Sequence, residues 1–397
     1  MRLLALICCC FMLSGCAALQ QLDEAASSLT DYITGGEDNI EPPNELTNYE
    51  PEITIELLWT AQTGVGFDEQ DVKLVPALAY GKIITADREG LVEARDAANG
   101  KLLWSIEKEK PISSGPGIGE TTVILGTSDA EVIALNTDTG EELWTAKVSS
   151  EVLSVPKIDQ GIVIVRTTDG RQIALDETTG KELWVYIKSV PTLSIRGSGT
   201  PLIVDDTVIS GFANGKLIAL RLKDGKLVWE TSIAIPRGRS EVERLVDLDV
   251  DPIESDGVIF IASYQGGVSA VLALDGDVLW RNEDISSYSG LSNDWKYLYL
   301  TDTESDVWQL DQRNGAGLWS QKELHQRRLT APVAYDEYVV VGDLEGYVHW
   351  VSTSDGRQLG RIQITDEPIQ TQPIVVDQIV YIYAQDGTIA ALKAKPI

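Results

Sequence analysis

Short apolar stretches alternate with polar, glycine-bearing turns along residues 52–397. In one unit, 156–158 opens a strand, 162–166 forms the second, 172–176 the third and 182–184 the fourth. Thr168-Asp169-Gly170 and Thr178-Thr179-Gly180 supply two of the turns, because Asp and Gly tolerate the backbone angles that tight turns need. β-Branched and small residues fit strands packed on both faces between neighbouring sheets. The unit recurs. A tryptophan closes seven copies (Trp59, Trp104, Trp144, Trp184, Trp229, Trp280 and Trp319), and in five of them a proline lies 28 positions earlier (Pro76, Pro116, Pro156, Pro201 and Pro252). A repeat of about 40 residues is the size of one propeller blade, which cannot bury its apolar faces alone. Copies begin at Pro76, Pro116, Pro156, Pro201, Pro252, Leu291, Pro332 and Pro373, which makes eight.

The pattern therefore predicts an all-β fold, an eight-bladed β-propeller of four-stranded antiparallel blades. The last copy offers three strand candidates, 373–376, 379–384 and 388–393, while 52–59 reads as a fourth strand with no blade before it. Pairing the two ends completes the ring and removes its open edges. Gly360 stands where the seventh blade should have Trp, and Leu291 where the sixth should have Pro, so these two interfaces are expected to be the least regular.

Ahead of the repeats, an apolar run at 3–13 follows Arg2 and is too short to span a bilayer. It reads as an export signal (1–15). Its end, Leu13-Ser14-Gly15-Cys16, resembles a bacterial lipobox, which implies cleavage before Cys16 and lipidation of its thiol. Cys8, Cys9 and Cys10 would leave with the signal, so Cys16 would be the one remaining cysteine and no disulfide could form. Ala17 after the lipid site favours the outer membrane, facing the periplasm, by the same resemblance. Residues 17–52 lack Lys and Arg, and Asp23, Glu24, Asp31, Glu37, Asp38, Glu41, Glu45, Glu50 and Glu52 make them acidic. With Gly35-Gly36 and Pro42-Pro43, the stretch 16–51 reads as a lipidated N-terminus and extended tether, followed by the propeller at 52–397.

The formal charge of −29 argues against a nucleic-acid or anionic membrane surface as a partner, since an acidic face repels phosphates. The segment 174–184 resembles the tryptophan-docking motif of pyrroloquinoline-quinone (PQQ) type propellers. That superfamily includes dehydrogenases, so a PQQ-dependent periplasmic enzyme is one reading. Against it, the mature chain has no cysteine pair, no Cys-x-x-Cys-His haem motif and no long insertion to roof a cofactor. His325 and His349 sit in no metal-spacing pattern; His349 reads as a packed or solvated strand residue and His325 as loop surface. Asp169 and Asp386 belong to recurring turns. No nucleophile, base and orienting group can be assembled, so no catalytic, cofactor or metal site is expected.

The irregular connections point to a scaffold instead. From closing position to next start the chain uses 12 positions between Trp104 and Pro116, but 17 between Trp184 and Pro201 and 23 between Trp229 and Pro252. Both long connections flank the fourth blade and should be spatial neighbours. Val190, Leu193 and Ile195 in the first, and Leu245, Val246 and Leu248 in the second, suggest an apolar protein-binding patch. The lipobox, acidic tether, eight blades, Leu193-Ser-Ile195-Arg196 and Arg244-Leu-Val-Asp247-Leu-Asp249 together resemble the BamB family of outer-membrane protein assembly factors. The resemblance implies a non-enzymatic lipoprotein of the β-barrel assembly machinery, without cofactor. It implies that Leu193, Ile195, Arg196, Asp247 and Asp249 contact the periplasmic POTRA domains of BamA. Arg196 could pair with a partner carboxylate or be held by Asp247 and Asp249. Unfolded outer-membrane clients, added along blade edges, are a further partner class.

Overall fold

The turn at 176–180 shows how the sequence makes one blade corner. Asp176 accepts hydrogen bonds from the Thr179 amide at 2.8 Å and the Thr179 hydroxyl at 2.6 Å, and Gly180 closes the turn at φ +68°. That backbone region suits glycine and strains other residues. In the computed structural model, which describes residues 41–68, 70–191, 199–235 and 246–397, such turns join strands into eight sheets. Blades 1 to 7 occupy 77–107, 112–147, 157–187, 202–232, 253–282, 291–321 and 333–363, each an antiparallel meander.

Blade 8 is built from both ends of the ring. Ile374–Val376, Ile379–Tyr383 and Thr388–Pro396 are completed by Ile53–Gln62, which pairs antiparallel from Ile53 opposite Pro396 to Gln62 opposite Thr388. The expected closure is thus present. Blade 2 carries an addition, Lys73–Leu74, which lies parallel to Ile112–Ile118 as a fifth, innermost strand; the 17 positions from Trp59 to Pro76, as many as from Trp184 to Pro201, leave room for it.

Every blade but the seventh locks to the next through its closing tryptophan. Trp144 donates its indole N–H to the carbonyl of Glu177 at 2.8 Å, and Gly180 of that same turn lies over the ring. A methyl group at Gly180 would sit 2.5 Å from Trp144 Cε3, so only glycine permits this approach. Trp104 to Thr137, Trp184 to Leu222 and Trp319 to Thr353 repeat the hydrogen bond at 2.8–3.1 Å. A register shift between Glu142 and Trp144 marks the bulge that aims the indole inward while Leu143 stays 46% exposed. Burying an indole contributes roughly 4 kcal/mol of apolar transfer per interface, an upper bound.

Gly360 breaks this series for a structural reason. A closing Trp needs a carbonyl in the next blade's last turn, and blade 8 has no such turn because its last two strands come from opposite ends of the chain. Ile53 fills the space instead, 5% exposed, and a methyl group at Gly360 would lie 2.8 Å from its Cγ1. The expected irregularity is found there and not at Leu291, which opens a regular ladder opposite Leu300 and is 3% exposed. Proline is tolerated at that position but not required, because an apolar side chain fills the same core space. The compact body begins at Glu45: Leu46 packs against the buried cluster that includes Tyr299 and Leu324, and Arg361 lies 5.2 Å from the Tyr49 ring.

Candidate functional site

The connections between blades converge at one end of the ring axis around a cavity of about 600 Å³. Its walls include Lys73 and Leu74 of the extra strand, Asp247, Asp249 and Asp251 at the end of the second long connection, Tyr264 of blade 5, Tyr288 between blades 5 and 6, and Arg328 between blades 6 and 7. On this crossover face the roots of both long loops meet. The Thr200 amide donates to Asp251 Oδ1 at 2.6 Å, and a methyl group at Gly199 would lie 2.8 Å from the Val250 carbonyl oxygen. Leu248 Cβ stands 2.5 Å from where a methyl at Gly211 of blade 4 would be. The described ends of the two loops are therefore neighbours, laid backbone to backbone.

Two cations fix this junction. Arg166 of blade 3, 6% exposed, donates from Nη1 to the Gly199 carbonyl at 2.7 Å and stacks 4.7 Å over Phe212. Burial pushes its pKa down to about 10, with Asp249 and Asp251 opposing the shift. Lys73 pairs with Asp251, whose carboxyl stays below the usual range because Lys73 and Thr200 outweigh its burial. Burial and the neighbouring Asp247 push Asp249 the other way, up to about 6, against the pull of Arg166 and Lys73. The junction thus holds one carboxyl firmly ionised and another that titrates near neutral pH. Sequence reasoning missed both cations, since Arg166 ends an ordinary strand and Lys73 lies in a segment without repeat character.

Of the residues expected to bind a partner, Leu193, Ile195 and Arg196 lie outside the described residues, as does Cys16. Asp247 is 2% exposed and Asp249 half-buried, both on the cavity wall, so neither stands on a raised rim. The expectation of an exposed apolar stretch in the second loop is corrected at Val246 and Leu248, which are 4% and 0% exposed. Val246, Leu248 and Val250 alternate with Asp247, Asp249 and Asp251, a period of two that turns the aliphatic face into the core of blades 4 and 5. Val190, in the first loop, is 38% exposed as expected.

Both histidines are committed to carboxylates. His349 is fully buried with Nε2 2.9 Å from Asp343 Oδ2, which also accepts from Arg327 Nε at 2.8 Å; burial lowers its pKa against the pull of Asp343. His325, expected at the surface, is half-buried with Nδ1 2.8 Å from Asp306 Oδ1. Glu304, Asp306 and His325 form the one group among the described residues that could hold a metal, and Lys322, 3.2 Å from Asp306, already brings a cation to it. Neither histidine lines the axial cavity.

A family profile described as outer membrane protein assembly factor BamB matches residues 88–321 and again 310–396. The BamB protein of Alkalilimnicola ehrlichii is 48% identical over 341 residues, covering 86% of this chain and 89% of that protein. The crystal structure of BamB from Moraxella catarrhalis superimposes with a TM-score of 0.78 at 27% identity, covering 86% of this chain and all of that one. A europium-containing methanol dehydrogenase shares the fold at a TM-score of 0.67, covering 83% of this chain and 84% of that one at 13% identity. At that identity the likeness extends to the propeller alone.

Proposed function

The chain belongs to the BamB family of outer membrane protein assembly factors, and from that premise we propose that it is a non-enzymatic scaffold of the β-barrel assembly machinery. It is held to the outer membrane, facing the periplasm, by lipid on Cys16, and it binds the POTRA domains of BamA through its two long connections. The observation that carries this reading is the junction of the loop roots. Arg166, Lys73 and Asp251 tie together two chain segments that are otherwise separate excursions from the ring. Tying the described ends of two long connections together fixes where both join the ring, which suits a scaffold that presents them. Leu193 and Ile195 then supply apolar area, Arg196 a charged contact, and Asp247 and Asp249 polar contacts.

The dehydrogenase reading has less support. Both histidines are taken up in hydrogen bonds to carboxylates away from the cavity, and Asp251 is engaged by Lys73 and Thr200. Co-purification tests the scaffold reading: Leu193→Ala and Arg196→Glu should each lower recovery of BamA while the melting temperature stays unchanged. Full recovery with both variants would overturn the proposed contact. Cys16→Ser should move the protein from the membrane fraction to the soluble periplasm.

A further inference from the structure

A second feature of the crossover face is independent of the long loops. Arg328 lines the axial cavity close enough to Tyr288 for its charge to act on the phenol, and Tyr264, whose ring is 6.5 Å from that of Tyr288, lines it too; Tyr264 and Tyr288 are 37% and 52% exposed. Acidic residues outnumber basic ones by 61 to 32 in this chain, so a cation at the surface ordinarily meets a carboxylate. Arg328 is exposed and forms no ion pair among the described residues. Its backbone is held in the left-handed region at φ 50°, two positions after Gln326 at φ 58°. Side chains other than glycine disfavour that region, and such strain persists only where surrounding contacts enforce it.

Those contacts are present. Arg327 is 2% exposed and anchored to Asp343, the Gln326 amide donates to the Glu304 carbonyl at 2.7 Å, and the Leu344 amide donates to the Arg327 carbonyl at 3.0 Å. The pedestal is fixed and the guanidinium is turned out. An arginine on the same wall as a pair of part-exposed tyrosines has the chemistry that dominates protein-binding surfaces, and its fork matches a carboxylate. We propose that Tyr264, Tyr288 and Arg328 form a second contact surface on the crossover face, which receives a carboxylate-bearing segment of the same protein partner that the long loops hold. Charge complementarity at Arg328 itself selects the occupant: of the carboxylates on the cavity wall, Asp251 is taken by Lys73 and Thr200 and Asp249 faces Arg166 and Lys73, while no carboxylate among the described residues pairs with Arg328. Continuity supports it too, since Asp247 and Asp249 of the second long connection line the same cavity. The inference rests on the scaffold reading for the identity of the partner.

The test uses the full-length protein recovered from membranes, with BamA in the eluate quantified. Arg328→Gly is the informative variant, because glycine relieves the backbone at φ 50° while removing the guanidinium. It should melt at or above the wild-type temperature yet recover about tenfold less BamA. Tyr288→Ala should lose several-fold, and Arg313→Glu, in a turn on the opposite face, should lose nothing. Wild-type recovery with Arg328→Gly and Tyr288→Ala overturns the proposal. If Leu193→Asp abolishes recovery while those two do not, this surface fails and the loop contact stands. If the surface variants lose BamA and Leu193→Asp does not, the surface stands and the loop contact fails. Should sedimentation instead show that Arg328→Gly abolishes self-association with BamA recovery intact, the occupant is a second copy of this chain and the proposal is wrong.

Discussion

Arg166 and Gly199 are joined by a 2.7 Å hydrogen bond that ties the buried end of a blade 3 strand to the root of the first long loop. Arg166→Met keeps much of the side-chain volume over Phe212 but leaves the Gly199 carbonyl without its donor. The expected cost is about 2 kcal/mol in denaturant unfolding. Hydrogen exchange should quicken at Gly199, Thr200 and 246–251 together. Exchange confined to Gly199 would show that Lys73 and Asp251 hold the junction without Arg166.

Asp249 makes the same junction sensitive to pH. Its carboxyl titrates at about 6 in the folded protein against an ordinary 3.8, so the folded chain keeps a proton that the unfolded chain has released. Stability from this group is complete below pH 4 and is lost as pH rises through 6. Asp249→Asn should therefore be more stable than the parent at pH 8, on the order of 2 kcal/mol, with the gap closing toward pH 4. Melting curves across that range check it, and a gap that widens toward low pH would reverse the assignment.

The glycine at each docking turn can be separated from glycine at an ordinary turn. Gly161 and Gly180 have φ of +75° and +68°, but a methyl group at Gly161 meets nothing within 4 Å while one at Gly180 meets Trp144. Gly161→Ala should cost about 1 kcal/mol from the backbone alone. Gly180→Ala should cost more by the energy of displacing the indole, approaching the roughly 3–5 kcal/mol expected for Trp144→Ala. Equal losses at the two glycines would mean that the indole contact contributes little.

Restoring the repeat at its one gap should harm the protein. Gly360→Trp matches the other blades, yet Ile53 already occupies the volume and blade 8 offers no turn carbonyl to the indole. Thermal unfolding should show a loss comparable to Ile53→Ala, about 2–5 kcal/mol. Removing the exposed Arg357 guanidinium, which pairs with Glu52 at 2.8 Å, should change stability by less than about 1 kcal/mol.

The blades were legible because their causes are local and repeated. Asp-x-x-x-Gly turns and a Trp in fixed register each announce a strand boundary, and the unpaired sequence around Trp59 declared the closure. The missing Trp at Gly360 was visible, but its reason lies in topology, since the turn that would receive it does not exist. The junction was only half readable. Loop length located it, and the alternation from Val246 to Asp251 could have shown an extended segment with one face inside. Arg166, Lys73 and Arg328 carried no signal, because their partners or lack of partners are set by contacts between distant segments.

The pairing of Ile53–Gln62 with Thr388–Pro396 also decides how the ring bears tension. A pull arriving through Glu52 acts on the Ile53 end, while the partner strand is held by the rest of the ring from its Thr388 end, opposite Gln62. The two forces run along the strands in opposite directions. The rungs of the ladder are then loaded in parallel, in shear, and must yield together instead of one after another as in unzipping. Force applied at Glu52 therefore meets the closing ladder in shear, with all of its rungs sharing the load.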